Sequence, residues 1–150
     1  MKKDEIILRK GTKQDVDAFY ELDNLCFEEG IAYPKEVFSY YLKLKNFLCY
    51  VIEEQNKIVA FIIANYQKSY AQIITIDVHP DYRRKGYGKR LMKLVEEELI
   101  KVNVKFIFLY VAENNNSAIK LYEKLGYEIH DKVPNYYKQN LDAYVMIKNL

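Results

Sequence analysis

The stretch Ala71–Leu91, AQIITIDVHPDYRRKGYGKRL, constrains this chain more than any other. It begins as an apolar strand through Ile73, Ile74, Ile76 and Val78 and turns at His79-Pro80-Asp81. It then passes Arg83-Arg84-Lys85-Gly86-Tyr87-Gly88-Lys89 into a helix with Leu91, Leu94, Val95 and Leu99 on one face. Strand, basic glycine loop and helix start make an anion cradle. The first amides of a helix have no intrahelical partner, and the helix dipole adds positive charge there. Gly86 and Gly88 lack a Cβ, so a bulky phosphate can approach the backbone. The flanking Arg and Lys side chains supply charge-assisted bonds.

Spacing excludes two familiar phosphate loops. A P-loop has Lys-Ser/Thr directly after its second glycine, whereas Gly88 is followed by Lys89-Arg90. A dinucleotide fingerprint needs a third glycine where Leu91 stands. The remaining pattern, Arg83-x-x-Gly86-x-Gly88, resembles the R/Q-x-x-G-x-G/A signature of the GNAT superfamily, the acetyl-CoA-dependent N-acetyltransferases. A second stretch, VAENNNSAIKLYEKLGY, is similar to that family's V-x-x-x-N-x-x-A-I-x-L-Y-x-x-x-G-F segment.

The element pattern extends the resemblance to nearly the whole chain. Glu5 to Lys10 alternates as a first strand. Thr12 with Asp15 predicts a helix start, followed by Val16, Phe19, Tyr20, Leu22 and Phe27 on its apolar side, with a break at Glu28-Glu29-Gly30. Pro34 opens a second helix over 35–44. Strands are predicted over 47–53 and 58–66, joined by a turn at Gln55-Asn56-Lys57. Another lies over 104–111. The Asn114-Asn115-Asn116 helix ends at Leu125 with Gly126 as its cap, and a closing antiparallel pair covers 127–132 and 143–148. This is an α/β chain, a mixed and mostly antiparallel sheet with helices on both faces, as in the GNAT fold. With 150 residues, 1–150 are expected to form a single domain.

Composition narrows the partners. A net charge of +2 is too small to point to nucleic acid, and the positive charge is concentrated between Arg83 and Lys93. Cys26 and Cys49 stand apart without a Cys-x-x-Cys, which makes neither a disulfide framework nor a zinc site, and no metal is expected. No apolar run has the length of a signal or membrane helix, so no membrane partner and a cytoplasmic location are expected. A monomer or homodimer fits equally well.

Residue roles follow from the resemblance. The main chain of Ile76, Asp77 and Val78 would bond the acetyl carbonyl and pantetheine arm of acetyl-CoA, and Arg84, Lys85, Gly86, Tyr87, Gly88 and Lys89 would hold its pyrophosphate. Asn115 would contact the pantetheine, although Asn is equally at home as a helix cap. Tyr122, at the tyrosine of the second motif, would stabilise or protonate the departing thiolate, since a phenol near 10 faces a thiol near 8.5. Within the superfamily the chain is most similar to the RimI-like protein N-terminal acetyltransferases, through its L-Y-x-x-x-G-Y helix end and Asn135-Tyr136-Tyr137 before Asp142-Ala143-Tyr144-Val145-Met146. The short segment after Glu28-Glu29 is a third point of likeness. Glu28, Glu29, Tyr33, Tyr136 and Tyr137 would then meet the acceptor, a protein or peptide N-terminus. Side-chain, polyamine and other small amines are the alternative acceptors, and a catalytically weak acyl-CoA-binding module is a third reading.

One departure stands out. Many RimI-like enzymes carry a glutamate that acts as base where this chain has Tyr110, and some relatives use a histidine on the central strand, where Gln72 is nearest here. The general base is thus unassigned, open between a water chain and Tyr110 acting through water. Glu113 falls past the strand end, and His79 and His130 are expected in solvated turns.

Overall fold

The structure is a computed structural model that describes residues 5–150. Among the described residues, seven strands form one sheet in the order β1-β2-β3-β4-β5-β7-β6. The strands are β1 (Ile6–Lys10), β2 (Phe47–Glu54), β3 (Lys57–Tyr66), β4 (Tyr70–Val78), β5 (Phe106–Ala112), β6 (Glu128–Lys138) and β7 (Leu141–Asn149). Every neighbouring pair is antiparallel except β4 with β5. The helices are α1 (Val16–Cys26), α2 (Lys35–Lys43), α3 (Tyr87–Lys101) and α4 (Asn116–Lys124).

Local chemistry sets these boundaries. Thr12 and Asp15 form a reciprocal capping box, and Asp15 also accepts two bonds from Arg9, at 2.8 and 2.9 Å. The first turn after Thr12 is a tight three-residue one, so α1 proper starts at Val16. It ends at Cys26, and Phe27 is already extended. Gln55 and Asn56, at φ +54° and +63°, make the left-handed hairpin turn between β2 and β3.

The sheet carries a core on each face. On one, Leu91, Met92, Val95 and Leu99 of α3 join Tyr122 of α4 over Ile62, Ile73, Ile107 and Leu109. On the other, Val16, Phe19 and Leu22 of α1 meet Phe38 and Leu42 of α2 over Val51, Phe61, Ile63 and Ile74. Phe19 stacks on Phe61 with ring centroids 4.1 Å apart. β3 is covered on both faces, which explains its unbroken apolar run. Lys148 and Tyr127 both bond Glu96, at 2.7 and 2.8 Å, tying the last strands to α3.

Two sequence expectations change. The closing hairpin is longer than its apolar pattern suggests, with β6 running through Lys138, so Tyr136 and Tyr137 lie on a strand and not in a loop. His130 likewise sits on that exposed strand, not in a turn. β6 is an edge strand whose register skips from Val133 to Lys138, around Pro134, and an edge with a bulge has little need of alternation. Among the described residues, no helix is long and apolar enough to cross a membrane.

Candidate active site

The site begins with two strands that part. β4 and β5 pair only from Tyr70 and Phe106 to Ile73 and Leu109. Beyond that, β4 stays with β3 and β5 with β7. The β3–β4 register skips Ile74, a bulge that bends β4 away at the point of divergence. A cavity of about 890 Å³ fills the gap at the carboxyl ends of these parallel strands, the usual ligand position in such sheets.

One end of the cavity is the cradle. Arg84 and Gly86 adopt left-handed φ of +69° and +81°, and Gly86 is the cap of α3. No side chain caps α3 and no acidic residue occupies its first turn. The first intrahelical bond from this turn is Arg90 N–H to the Gly86 carbonyl at 3.0 Å, so the amides of residues 87–89 have no partner within the helix. Arg84, Gly86, Tyr87, Gly88 and Lys89 line the cavity. Gly88 has a second job: a Cβ there would come within 3.3 Å of Leu121 Cδ2, so the glycine lets α3 approach α4.

Lys85 is placed elsewhere. It lies outside the lining, its Nζ 3.0 Å from Glu54 Oε1, while the Tyr87 hydroxyl donates to Glu54 Oε2 at 2.5 Å. These two bonds, Tyr87 first, hold the Glu54 carboxyl below its ordinary range, and burial and that carboxylate push the Tyr87 phenol up to about 12.

Along β4, Ile76 and Val78 line the cavity. The Asp77 side chain does not; it turns into the protein and accepts from the Thr75 hydroxyl at 2.6 Å. Two main-chain acceptors are already engaged. The Ile74 carbonyl takes the Tyr33 hydroxyl at 3.3 Å, and the Val78 carbonyl takes Arg83 Nε at 3.0 Å and the Cys26 thiol at 3.4 Å. Arg83, the first residue of the loop motif, therefore braces β4 as well as lining the cavity.

The opposite wall comes from β5 and α4. Asn115 is the α4 cap: its Oδ1 accepts from Ala118 N–H and Ser117 O–H, both at 3.3 Å. Asn115 also lines the cavity. Tyr122 lines it while only 7% exposed, and burial, with the nearby Asp77, raises its phenol above the ordinary value. Tyr110 and Gln72 both line the cavity, and Tyr110 stacks on Tyr136 at 4.5 Å and 9°. Glu113 is paired with Lys132 at 3.0 Å.

Glu28, Ile31 and Tyr33 of the α1–α2 loop line the cavity together with Tyr137 of β6. Burial raises both phenols. The bulge around Pro134 presents the tyrosine pair, with Asn135 at φ +53° and its N–H held by Asp142 Oδ1 at 2.9 Å. Tyr136 sits outside the lining, behind Tyr110. Glu29 is exposed and also outside it. Lys138 Nζ joins the loop to the hairpin, 3.5 Å from Glu28 Oε1 and 3.4 Å from the Glu29 carbonyl.

Sequence reasoning missed Asp23 and Thr75, which also line the cavity. The signal for Asp23 was present, since it follows Phe19 by four residues and so shares the buried face of α1.

Residues 16–127 match the Acetyltransferase (GNAT) family. The chain is 28% identical over 144 residues to the uncharacterized N-acetyltransferase MJ1530 of Methanocaldococcus jannaschii, covering 95% of this chain and 91% of that one. It is 29% identical over 152 residues to the N-terminal acetyltransferase A complex catalytic subunit NAA10 of Arabidopsis thaliana, covering 97% and 78%. The crystal structure of the ribosomal-protein-S18-alanine N-acetyltransferase from Escherichia coli superposes with a TM-score of 0.88 at 26% identity, over 97% of this chain and 94% of that one. The Arabidopsis NAA60 structure in complex with acetyl-CoA shares the fold, with a TM-score of 0.84 at 18% identity over 97% and 99%. The loop, the parted strands and these relatives agree: the chain belongs to the GNAT family, enzymes that move acetyl from acetyl-CoA to an amine.

Proposed function

We propose that this enzyme acetylates the α-amine of a protein or peptide N-terminus. The observation that carries the reading is the far end of the cavity. There Tyr33 of the α1–α2 loop and Tyr137 of β6 line the same cavity, and Lys138 ties that loop to β6 through Glu28 and the Glu29 carbonyl, which supports entry of an extended chain end between loop and hairpin. NAA10, to which the chain is similar, is named for N-terminal acetylation, and the S18 enzyme for N-acetylation of an alanine of a ribosomal protein.

Acetyl-CoA lies across the cleft in this reading. The free amides of 87–89 with Arg84 and Lys89 hold its pyrophosphate, since an uncapped helix start and two cations favour an anion. Lys85 serves the loop through Glu54, whose carboxylate balances its charge. The pantetheine arm runs along Ile76 and Val78 and past Asn115, whose amide NH₂ is the part not used in capping. The amine enters past Tyr33 and Tyr137, attacks the thioester carbon, and the thiolate departs beside Tyr122. Burial keeps that phenol neutral, so Tyr122 acts by donating a hydrogen bond, and full proton transfer to a thiolate is uphill.

Incubation with acetyl-CoA and a panel of peptides differing in their first two residues, read by mass spectrometry, tests the reading. Acetylation confined to the N-terminal amine supports it. Acetylation of polyamines or lysine side chains with untouched N-termini rejects it.

A further inference from the structure

Two carboxyls meet under the cavity floor. Asp23 comes from α1 and Asp77 from β4, and their exposures are 0% and 1%. Asp23 Oδ2 accepts from Tyr33 N–H at 2.7 Å, and Asp77 Oδ1 accepts from the Thr75 hydroxyl at 2.6 Å. Among the described residues, the other two oxygens, Asp23 Oδ1 and Asp77 Oδ2, are buried without a donor. The two carboxyls are within hydrogen-bonding reach of each other. One proton held between them satisfies both orphan oxygens.

The surroundings keep the pair from losing that proton. The nearest cation is Arg83, which is exposed and gives its Nε to the Val78 carbonyl. Cys26 on α1 holds a thiol pushed up to about 12 by burial and by the Asp77 charge. Tyr33 and Tyr122 feel the same negative site and stay neutral. Beneath α1 the sheet offers apolar Phe61 and Ile63. Burial first, and for Asp77 the neighbouring charge next, raises both carboxyls above their ordinary values. Two buried carboxyls this close resist ionising together, which favours one shared proton and one negative charge on the pair.

Asp23 and Thr75 line the cavity that Tyr122 also lines. We propose that the singly protonated Asp23–Asp77 pair receives the proton that the attacking amine must lose, passed on through the hydroxyl of Thr75. As the amine nitrogen bonds to the thioester carbon, its proton moves to Thr75 Oγ1 and the hydrogen of Thr75 moves to Asp77 Oδ1. The pair goes from one proton and charge −1 to two protons and neutrality. The carbon–sulfur bond breaks with its electrons on sulfur, beside Tyr122. The pair then returns its extra proton to the departing thiolate or to water. A carboxyl raised toward the working pH is what a general base needs. The inference rests on amine acetylation as such and not on the N-terminal reading.

The test has two arms. Carboxyl-carbon NMR of aspartate-labelled protein, without acceptor, follows the pair directly. Expected are two coupled steps, one displaced well above the ordinary carboxyl range; two ordinary carboxylates ionised together at pH 7 overturn the proposal. The second arm measures kcat against pH with any amine the enzyme accepts. Asp77→Asn and Asp23→Asn are expected to lower kcat by roughly a hundredfold and to remove the acidic limb of the profile, with acetyl-CoA affinity kept. Thr75→Val should behave likewise and Thr75→Ser should recover most of the rate, which covers an Asn variant that fails to fold. Unchanged kcat, or a loss uniform in pH that tracks a lower melting temperature, overturns the relay. If no peptide N-terminus is acetylated, the acceptor reading fails while the NMR arm still decides the pair.

Discussion

Lys85 points its ammonium at Glu54, 3.0 Å away, and not into the cavity that its neighbours Arg84 and Gly86 line. The pair joins the loop to the end of β2, and half-exposed ion pairs of this kind contribute up to about 1 kcal/mol. Charge counting along the loop treats Lys85 and Arg84 alike; the geometry separates them. Lys85→Met is expected to weaken acetyl-CoA binding less than about fivefold, in line with that figure. Arg84→Met should cost about tenfold or more, as loss of a charge-assisted bond does. Calorimetric titration of both variants with CoA checks the contrast.

Gly86 needs its left-handed φ of +81°, but a Cβ there meets nothing within 4 Å. Gly86→Glu should therefore fold with a loss of about 1–2 kcal/mol from the backbone alone, and lose CoA binding because a negative side chain stands at the cradle. Native CoA affinity in the folded variant would assign the loop a purely structural role.

Tyr122→Phe removes one hydroxyl and keeps the buried ring. Because the phenol is raised and acts as a donor, kcat is expected to fall by roughly ten- to a thousandfold with acetyl-CoA affinity little changed. Pre-steady-state thiol release reads the effect at the chemical step.

The loop motif and the Asn-Tyr helix were legible because each binds chain geometry to residue type: a glycine at a left-handed cap, an Asn at a helix start. The two amphipathic faces were legible through α1 and α3 for the same reason. Three parts were not. The bulge at Ile74 is masked by the adjacent, chemically identical Ile73, yet it lies where β4 leaves β5 and the cleft opens. The destination of Lys85 depends on Glu54, 31 residues away in the chain. Asp77 and Asp23 are 54 positions apart by their numbering, and their meeting depends on how α1 crosses β4. Side-chain partners at long range are set by packing, which spacing does not encode.

Asp15 accepts from Arg9 and from the Thr12 amide, and these bonds, Arg9 first, depress its carboxyl below the ordinary value. A depressed carboxyl stabilises above its unfolded pKa, about 3.9, and loses that contribution as pH falls through the folded value. Asp15→Asn should cost about 1–2 kcal/mol at pH 7, the worth of a good cap, and the gap should close in acid. Urea unfolding of both proteins at pH 7 and pH 3 measures it.

The choice of amine turns on the cost of making its nitrogen neutral. At pH 7.4, deprotonating a lysine costs about 4 kcal/mol and an α-amine less than about 1, from pKa values near 10.4 and 7.7–8.0. The decisive measurement is kcat/KM for a peptide with a free N-terminus and for its N-blocked, lysine-bearing twin, from pH 6 to 9. The free N-terminus is expected to react faster throughout, with a rate that rises with pH and flattens near the pKa of its own amine. Faster acetylation of the blocked twin across the range would contradict the account and assign the enzyme to side-chain or polyamine acceptors.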